Sequence, residues 1–331
     1  MSYTFSNLGL AELIARNSLS PEVIKYPSIF SLPVWMEAWW QVFGRGSEFM
    51  LAVISHKGTE IGIAPLKIKN KKASFIGDSA VCDYLDFIIK KGEEAIFFKS
   101  LLDELKKRGI ISLELEALRY DSAVIRYLKG IAEERGFSVN YQKENVSVIL
   151  DLPENWQDYV DSLSSKQRHE IKRKTRRLME HGAIEYQVYQ KWQDIKEKLP
   201  LFLKMFTTSR RGKADFLTNK MELFFKKMVS EMALKGFIGL GFLKLNKEPV
   251  ASVMYFDYNN TRYLYNSGYN PQYRDLSVGL LSKVFCISDA IKYQVKVFDF
   301  LGGSEVYKYR LGGREIPLYK CRIDLDRFNE E

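Results

Sequence analysis

FIGLGFLKLNKEPVASVMYFDYNNTRYLYNSGY, residues 237–269, holds three apolar runs separated by the polar pairs NK and NN. Runs rich in aromatic and β-branched residues with such short breaks are typical of an antiparallel meander. A helical pattern at 277–293 and another apolar strand at 295–301 follow. Because a helical crossover usually joins parallel neighbours, the strands at 261–269 and 295–301 are predicted to form a parallel pair in an otherwise antiparallel sheet.

The rest of the chain extends this plan to both halves. The other elements predicted for the second half are a basic helix at 164–181, a strand at 183–189, helices at 192–210 and 218–235, and a final strand at 316–325. Residues 33–150 show a compatible order of meander, helix, strand, helix and strand. We therefore predict an α/β (mixed α+β) fold of two tandem domains, 1–150 and 151–331, each a mixed, mostly antiparallel sheet with flanking helices.

Length and composition agree with a globular protein of two domains. The chain has 331 residues, 46% of them hydrophobic, which is enough for two cores. The N-terminal MSYTFSNLGLAELIARN has no basic segment followed by an apolar run, and no stretch approaches the ~18 apolar residues of a membrane span. Its three scattered cysteines, Cys82, Cys286 and Cys321, form no disulfide framework. A soluble cytoplasmic protein is the expectation.

Positive charge is concentrated in one segment. The formal net charge is +9, and KQRHEIKRKTRR, residues 166–177, carries seven Lys or Arg against one Glu. Arg173 and Arg177, one turn apart, are candidate substrate-binding residues. Such a helix could contact tRNA phosphates, an anionic lipid-linked acceptor at the membrane surface, or a donor's phosphates, or it could be a solvated helix between domains.

Several catalytic classes leave no trace in the sequence. The histidines, His56, His169 and His181, are scattered and lack metal-ligand spacing, so no metal is expected. A Gly-x-Ser-x-Gly elbow, a Walker loop and a dinucleotide glycine loop after a strand are also missing. Any chemistry must therefore rely on positioning, hydrogen bonds and a few charges.

Five stretches in order carry a family resemblance: PVWMEAWWQVFG, CDYLDF, SSKQRHEIKRKTRRLMEHG, SGYNPQYRDLSVGLLSKVF and FDFLGGSEVYKYRLGG. Together they resemble the GNAT acyltransferases, in particular the tandem FemAB-like and CelD (BcsL)-like branch linked to bacterial envelope polysaccharides. The resemblance implies an N-acyltransferase that moves an acetyl or aminoacyl group to an amine of a cell-envelope or exopolysaccharide precursor. The donor would be acyl-CoA (acetyl-CoA) or aminoacyl-tRNA, and the acceptor a small molecule or a lipid-linked sugar or peptide.

In the GNAT fold the parallel strand pair splays apart and the acyl donor lies in the gap. The resemblance places donor binding at YRDLSVG, with Arg274, Ser277, Val278 and Gly279 at the start of the helix, where free backbone N–H groups favour anions. The segment departs from the acetyl-CoA pattern, in which a Gln or Arg is followed by Gly-x-Gly or Gly-x-Ala. Aminoacyl-tRNA therefore stays open as the donor.

The segment DFLGGSEVYKYRLGGRE supplies the catalytic candidates. Lys308 lies in YKYRLG, similar to the FKxxFG-like segment of FemAB-type enzymes, and would stabilise the oxyanion. Asp299 or Glu305 would accept the amine proton, or would only cap neighbouring backbone. Tyr307 would donate to the oxyanion or serve as packing, and Lys308 could also be a solvated lysine on a loop.

In the first half, Asp83, Tyr84 and Asp86 of CDYLDF match a pattern of the CelD-like proteins and are assigned to acceptor recognition, with Asp86 alternatively an outward strand residue. Two other functions are compatible with the same sequence. One is a non-catalytic GNAT-like scaffold in a polysaccharide synthesis complex. The other is an RNA-binding protein that uses the basic helix.

Overall fold

The structure, a computed structural model, describes residues 3–7, 9–13 and 25–326. Part of the N-terminal stretch MSYTFSNLGLAELIARN, in which no signal peptide is expected, lies outside these ranges, namely residues 1, 2, 8 and 14–17. The described chain divides into two compact units. Unit 1 comprises the residues up to Asn145 together with those from Ile316 onward, and unit 2 comprises Val146–Glu315.

Unit 1 contains strands and α-helices from the first half of the chain. The strands are β1 (Tyr3–Asn7), β2 (Glu48–His56), β3 (Thr59–Lys69), β4 (Lys72–Phe75), β5 (Ile88–Ile89), β6 (Ser112–Arg119) and β7 (Ser138–Asp151), of which β7 continues into unit 2. The helices are α1 (Pro33–Phe43), α2 (Glu94–Lys107) and α3 (Lys129–Glu134), the last preceded by a π-helical turn, Val124–Leu128. Strands β2, β3 and β4 form an antiparallel meander, and β4 then pairs in parallel with β6.

Unit 2 repeats this order. Its strands are β8 (Ile184–Tyr189), β9 (Ile238–Leu245), β10 (Glu248–Tyr258), β11 (Thr261–Tyr269) and β12 (Val297–Gly302). Its α-helices are α4 (Trp156–Ser162), α5 (Ser165–Met179), α6 (Trp192–Ser209), α7 (Arg211–Phe216), α8 (Asn219–Leu234), α9 (Val278–Lys292) and α10 (Val306–Arg310). Within the ranges that the structure covers, no helix is long and apolar enough to cross a membrane.

The meander predicted from the opening stretch is confirmed. Strands β8 to β11 are antiparallel neighbours in sequence order, and β11 pairs in parallel with β12 after the α9 crossover. The apolar face of α9 packs into a core formed with β9 to β12, α4 and α5. Near the C-terminal end of α9, the buried guanidinium of Arg262 binds Asp257 at 2.8 Å and Asp289 at 2.6 Å. These bonds fix the helix against β10 and β11.

The last strand of each half does not stay with its own half. The C-terminal part of β7 pairs with β12 in unit 2, and β13 (Arg314–Asp324) pairs with β6 in unit 1. Alternation of side chains along a strand says which face is buried, but it does not say which neighbour the backbone bonds. The sequence-based division at residue 150 therefore assigned β13 to the second half, whereas the residues from Ile316 onward belong to unit 1.

Two segments differ from their sequence-based description. CDYLDF, in which an outward strand position was the alternative for Asp86, forms no strand. The Asp86 carboxylate accepts the N–H groups of Phe87 and Ala123, at 2.9 Å and 2.8 Å, and so competes with a strand ladder. VYKYR, for which a loop was the alternative, forms the short helix α10. Its start is fixed by Lys308, whose N–H bonds the carbonyl of Glu305 at 2.9 Å.

Candidate active site

The parallel strands β11 and β12 separate after a short contact. Their register covers three pairs, from Thr261 opposite Val297 to Tyr263 opposite Asp299. Beyond these pairs, Gly302 of β12 pairs with Ser147 of β7, while β11 continues alongside β10. The pairing of β11 with β10 and the pairing of β12 with β7 each contain a register shift. Strand β12 also contains a left-handed residue, Leu301, with φ of 62°. The bulges therefore open a gap between residues 264–269 and 300–302.

Lys308 holds the backbone at the end of β12. Its side chain is buried, and Nζ donates to the carbonyl oxygens of Leu301, Gly302 and Gly303 at 2.9, 2.6 and 3.0 Å. The same ammonium pairs with Glu305 at 2.9 Å. A lysine has three N–H donors, and these four acceptors saturate them. The geometry therefore favours a role in shaping the splayed strand.

Asp299 is directed at the same bulge. Its buried carboxylate accepts the N–H of Leu301 at 2.8 Å and the hydroxyl of Ser147 at 3.3 Å. The first bond stabilises the left-handed residue, whose conformation is otherwise unfavourable for a branched side chain. Asp299 thus contacts backbone at the gap.

Glu305 and Tyr307 lie on the β12 side of the gap. Burial opposes ionisation of Glu305, but its hydrogen bond and ion pair with Lys308 keep its pKa below the ordinary value. Burial raises the pKa of Tyr307, so this phenol is protonated at neutral pH. Its hydroxyl has no hydrogen-bond partner within the part of the chain that the structure describes. An unpartnered O–H donor at a splayed strand suits a developing oxyanion.

Lys283, on α9, is a site residue that the sequence reading missed. Its side chain is only 7% exposed, Nζ donates to the Gly279 carbonyl at 2.7 Å, and Nζ lies 4.9 Å from the centre of the Tyr307 ring. Burial, together with the charges of Lys213 and Arg210, lowers its pKa to about 7. A lysine amine that is partly neutral at physiological pH can accept a proton.

Lys213 brings a second, partly buried amine to the freed edge of β11. Its Nζ donates to the carbonyl of Ser267, and burial, together with the charge of Arg210, lowers its pKa to about 8. The signal for Lys283 was available in the sequence as a single lysine inside the apolar helix VGLLSKVFCI. The signal for Lys213 was weaker, because α7 is short and follows the non-helical residue Arg210.

The start of α9 gathers positive charge near a strained backbone. Ser277 has a left-handed φ of 57°, and its hydroxyl accepts from Nζ of Lys174 on α5 at 3.1 Å. Arg274 is exposed one turn earlier, while the Val278 side chain is fully buried. A Cβ on Gly279 would lie 3.0 Å from the Tyr269 ring, so the helix approaches β11 closely there. Cations beside the positive end of a helix dipole repel it, which favours an anion at this position.

Comparison with known families and structures agrees with this geometry. The acetyltransferase (GNAT) domain family model matches residues 165–309, a segment that contains the meander, α9, the splayed pair and most of α10. Residues 165–309 are a GNAT domain. Among curated protein sequences, none matches the chain.

Solved structures extend the likeness beyond the GNAT domain. FemX is 12% identical with a TM-score of 0.63, and 96% of each chain is covered. The C-terminal domain of a putative lysylphosphatidylglycerol synthetase from Agrobacterium fabrum is 10% identical with a TM-score of 0.61, covering 95% of this chain and 92% of that one. A tandem GNAT protein from the clavulanic acid biosynthesis pathway is 9% identical with a TM-score of 0.50, covering 99% and 100%. The chain has the tandem GNAT fold, and the predicted fold class is confirmed.

The basic helix α5 opens the GNAT domain. A capping box fixes its start, because the Ser164 hydroxyl and the Gln167 amide each bond the other residue's backbone. Arg173 and Arg177 are exposed on this helix and make no ion pair within the described residues. The Gln167 side chain also donates to the Tyr309 carbonyl at 2.7 Å, so α5 supports α10 of the GNAT domain.

The unit 1 candidates outside the GNAT domain have different environments. Asp83 lines a cavity of about 240 Å³ together with Ser79, Cys82, Glu144 and Asn145, among others. Tyr84 is buried, with the Arg119 guanidinium 5.1 Å from its ring centre. Burial raises the pKa of Asp86 to about 7, because its effect is larger than that of the backbone N–H bonds, which favour the ionised form. Asp83 is therefore placed at a cavity.

Metal ligands do not cluster in the described ranges: no group of three or more His, Cys, Asp or Glu side chains there could hold an ion. The three cysteines are free and buried, and burial raises the pKa of the Cys82, Cys286 and Cys321 thiols above the ordinary value.

Proposed function

We propose that the protein is an N-acyltransferase that moves an acetyl or aminoacyl group to an amine of a cell-envelope or exopolysaccharide precursor. One observation carries the proposal: the amine of Lys283, a proton acceptor, lies 4.9 Å from the ring centre of Tyr307, on the short helix that follows β12. The match of residues 165–309 to the GNAT acetyltransferase domain supports the reaction class.

The reaction is a direct transfer between two substrates. The acceptor nitrogen attacks the acyl carbonyl, a C–N bond forms, and the carbonyl oxygen becomes an oxyanion. The bond from the acyl carbon to the donor's sulfur or oxygen then breaks. The amine loses one proton to a base, and the leaving thiolate or alkoxide gains one, so atoms and charge balance without a covalent enzyme intermediate.

Lys283 is the base in this proposal. Its amine is partly neutral near pH 7, and one N–H bond to the Gly279 carbonyl orients it. A base with a pKa near the working pH combines the correct protonation state with sufficient strength. The alternative acceptors are poorer, because the ion pair with Lys308 lowers the pKa of Glu305 and occupies its carboxylate, and Asp299 is bonded to backbone.

Tyr307 donates to the oxyanion in the same proposal. Lys308 acts on it indirectly, because it holds the three carbonyls that precede α10 and so positions the helix that carries Tyr307. Lys308, Asp299 and Glu305 are therefore positioning residues. A donor fixed in this way requires little reorganisation when negative charge develops.

The donor's phosphates would bind at the start of α9. Arg274, Lys174 and the first N–H groups of the helix, at Val278 and Gly279, present positive charge there, with Ser277 fixing the turn. Both acyl-CoA and aminoacyl-tRNA carry phosphates, so this charge suits either donor. For the acceptor, we propose a small molecule or a lipid-linked sugar or peptide, and Asp83 at its cavity is the acceptor-binding candidate of unit 1.

An acyl-transfer assay tests the proposal. The protein is incubated with isotope-labelled acetyl-CoA or aminoacyl-tRNA and an extract of bacterial envelope precursors, and labelled amides are identified by mass spectrometry. Tyr307→Phe is expected to lower kcat by about 10²-fold or more, and Lys283→Met by about 10²- to 10⁴-fold. Lys196→Met, at an exposed position on α6, is the control. Absence of transfer from both donors, or full turnover in both site variants, contradicts the proposal.

A further inference from the structure

A groove separates α4 from α5 on unit 2. It encloses about 270 Å³. Its lining includes the apolar residues Trp156, Leu163, Ile171 and Met179, and basic residues of α5. All of them lie on these two helices or on the turn between them, outside the gap between β11 and β12. We refer to this feature as the α4–α5 groove.

The α4–α5 groove combines an apolar floor with a cationic rim. The floor consists of aliphatic side chains and one indole, and Met179 at its end is 59% exposed. The rim consists of Arg168, Lys172 and Arg176, which follow one another at intervals of four residues along α5. One face of the helix thus presents a row of positive charge beside an apolar groove in which Leu163 and Ile171 are buried and Met179 supplies the exposed apolar surface.

The rim charges are only partly neutralised by the protein. Arg168 pairs with Asp161 at 3.0 Å, and Arg176 reaches Glu180 at 3.7 Å with both side chains largely exposed. Lys172 has no ion pair within the described residues. Exposed pairs of this kind contribute little, so the rim keeps most of its attraction for an external anion.

We propose that the α4–α5 groove docks the protein on an anionic lipid surface, with the rim on headgroup phosphates and Met179 and the floor against acyl chains. A lipid headgroup and a polynucleotide both carry phosphates, and the apolar floor favours the lipid. A polynucleotide would leave the aliphatic floor without a matching surface, because nucleic acids present stacked bases and phosphates. An amphiphile covers both features, as in helices that lie at a membrane interface. This proposal does not rest on acyl transfer.

Vesicle binding tests the proposal. The full chain is mixed with phosphatidylcholine vesicles or with vesicles of phosphatidylcholine and phosphatidylglycerol, and the bound fraction is measured by flotation. The expected result is binding to the anionic vesicles that weakens as salt is added, and little binding to the neutral ones. Equal binding to both compositions, or no binding to either, overturns the proposal.

Paired variants on one helix show whether the groove itself is responsible. Lys172→Gln with Arg176→Gln removes two rim charges, and Arg173→Gln with Arg177→Gln removes two exposed charges of the same helix that do not line the groove. The rim pair is expected to lower vesicle affinity by about 30-fold, from roughly 1 kcal/mol per basic residue at an anionic surface. The other pair is expected to lose much less. Equal losses would mean diffuse attraction and would overturn a defined groove.

A third arm separates lipid from other anions. Met179→Asp is expected to reduce anionic vesicle binding at least tenfold while the thermal transition of the protein stays unchanged, because Met179 is exposed. Inorganic phosphate and tRNA are added as competitors. Weak competition by phosphate at equal concentration agrees with a lipid site. Tighter binding of tRNA than of vesicles, abolished by the rim variants, would assign the groove to RNA instead.

Discussion

Replacing Lys283 with methionine is expected to stabilise the protein at neutral and acidic pH. The ordinary lysine pKa of 10.5 falls to about 7 in the folded chain. Burial is the main cause, and the positive charges of Lys213 and Arg210 add to it, while Glu305 and Cys286 act in the opposite direction. The centre of the Tyr307 ring also lies 4.9 Å from Nζ.

The size and sign of the effect follow from proton linkage. Between about pH 7 and pH 10.5 the unfolded chain holds a proton that the folded chain has lost, so wild-type stability rises with pH across this interval. The interval of about 3.5 pH units, at 1.36 kcal/mol per unit, corresponds to roughly 5 kcal/mol of destabilisation below pH 7. Lys283→Met removes this penalty and loses the bond to the Gly279 carbonyl, which contributes about 1 kcal/mol.

Urea denaturation measures the prediction. The Lys283→Met variant is expected to be about 3–4 kcal/mol more stable than wild type near pH 6, with the difference vanishing near pH 10. Lys196→Met, at an exposed position, should show no such pH-dependent gain. The claim that the Lys283 amine is buried without a compensating charge would be refuted by a Lys283→Met variant no more stable than wild type near pH 6. A stability difference that does not change with pH would refute it as well.

Lys308→Met is expected to lower the free energy of unfolding, measured by urea denaturation, by about 3–5 kcal/mol, because it leaves Glu305 and three carbonyls without their shared donor. A loss under about 1 kcal/mol would show that these bonds are not made. Gly268→Ala would place Cβ 2.3 Å from the backbone nitrogen of Phe206, so calorimetry should show a lower melting temperature, and an unchanged one would mean that α6 lies farther from β11. Because burial raises the pKa of Asp86 to about 7, folding retains its proton and wild-type stability should fall from about pH 4 to pH 7 relative to Asp86→Asn; parallel pH curves for the two proteins would contradict this.

The elements of the GNAT domain could be predicted because each has a local cause. The pairs NK and NN lie in tight turns with left-handed residues, Asn246, Lys247, Asn259 and Asn260, and the helical pattern at 277–293 became α9 within one residue at each end. A crossover with one helix then determines the parallel pair. The pairing of β13 with β6 of unit 1 had no such local signal, because it depends on which strand, distant in sequence, bonds the backbone of β13.

The site was only partly predictable for the same reason. Motif resemblance led to Lys308, Asp299, Glu305 and Tyr307, and the structure brings all four to the end of β12. Sequence cannot distinguish a lysine that faces a gap from one that bonds its own backbone, which is what Lys308 does. Lys283 and Lys213 come from elements distant in sequence, and their altered pKa values arise only when folding buries both.

Hydrogen exchange with bound donor tests most directly whether the separated strands of the GNAT domain hold the acyl group. Amide exchange is compared by mass spectrometry for the protein alone, with acetyl-CoA and with aminoacyl-tRNA. The account predicts that one donor slows exchange at residues 264–269 and 299–303 along the gap and at 277–281 at the start of α9. If neither donor slows these three segments, or if protection appears only elsewhere in the chain, the gap is not the acyl-donor site.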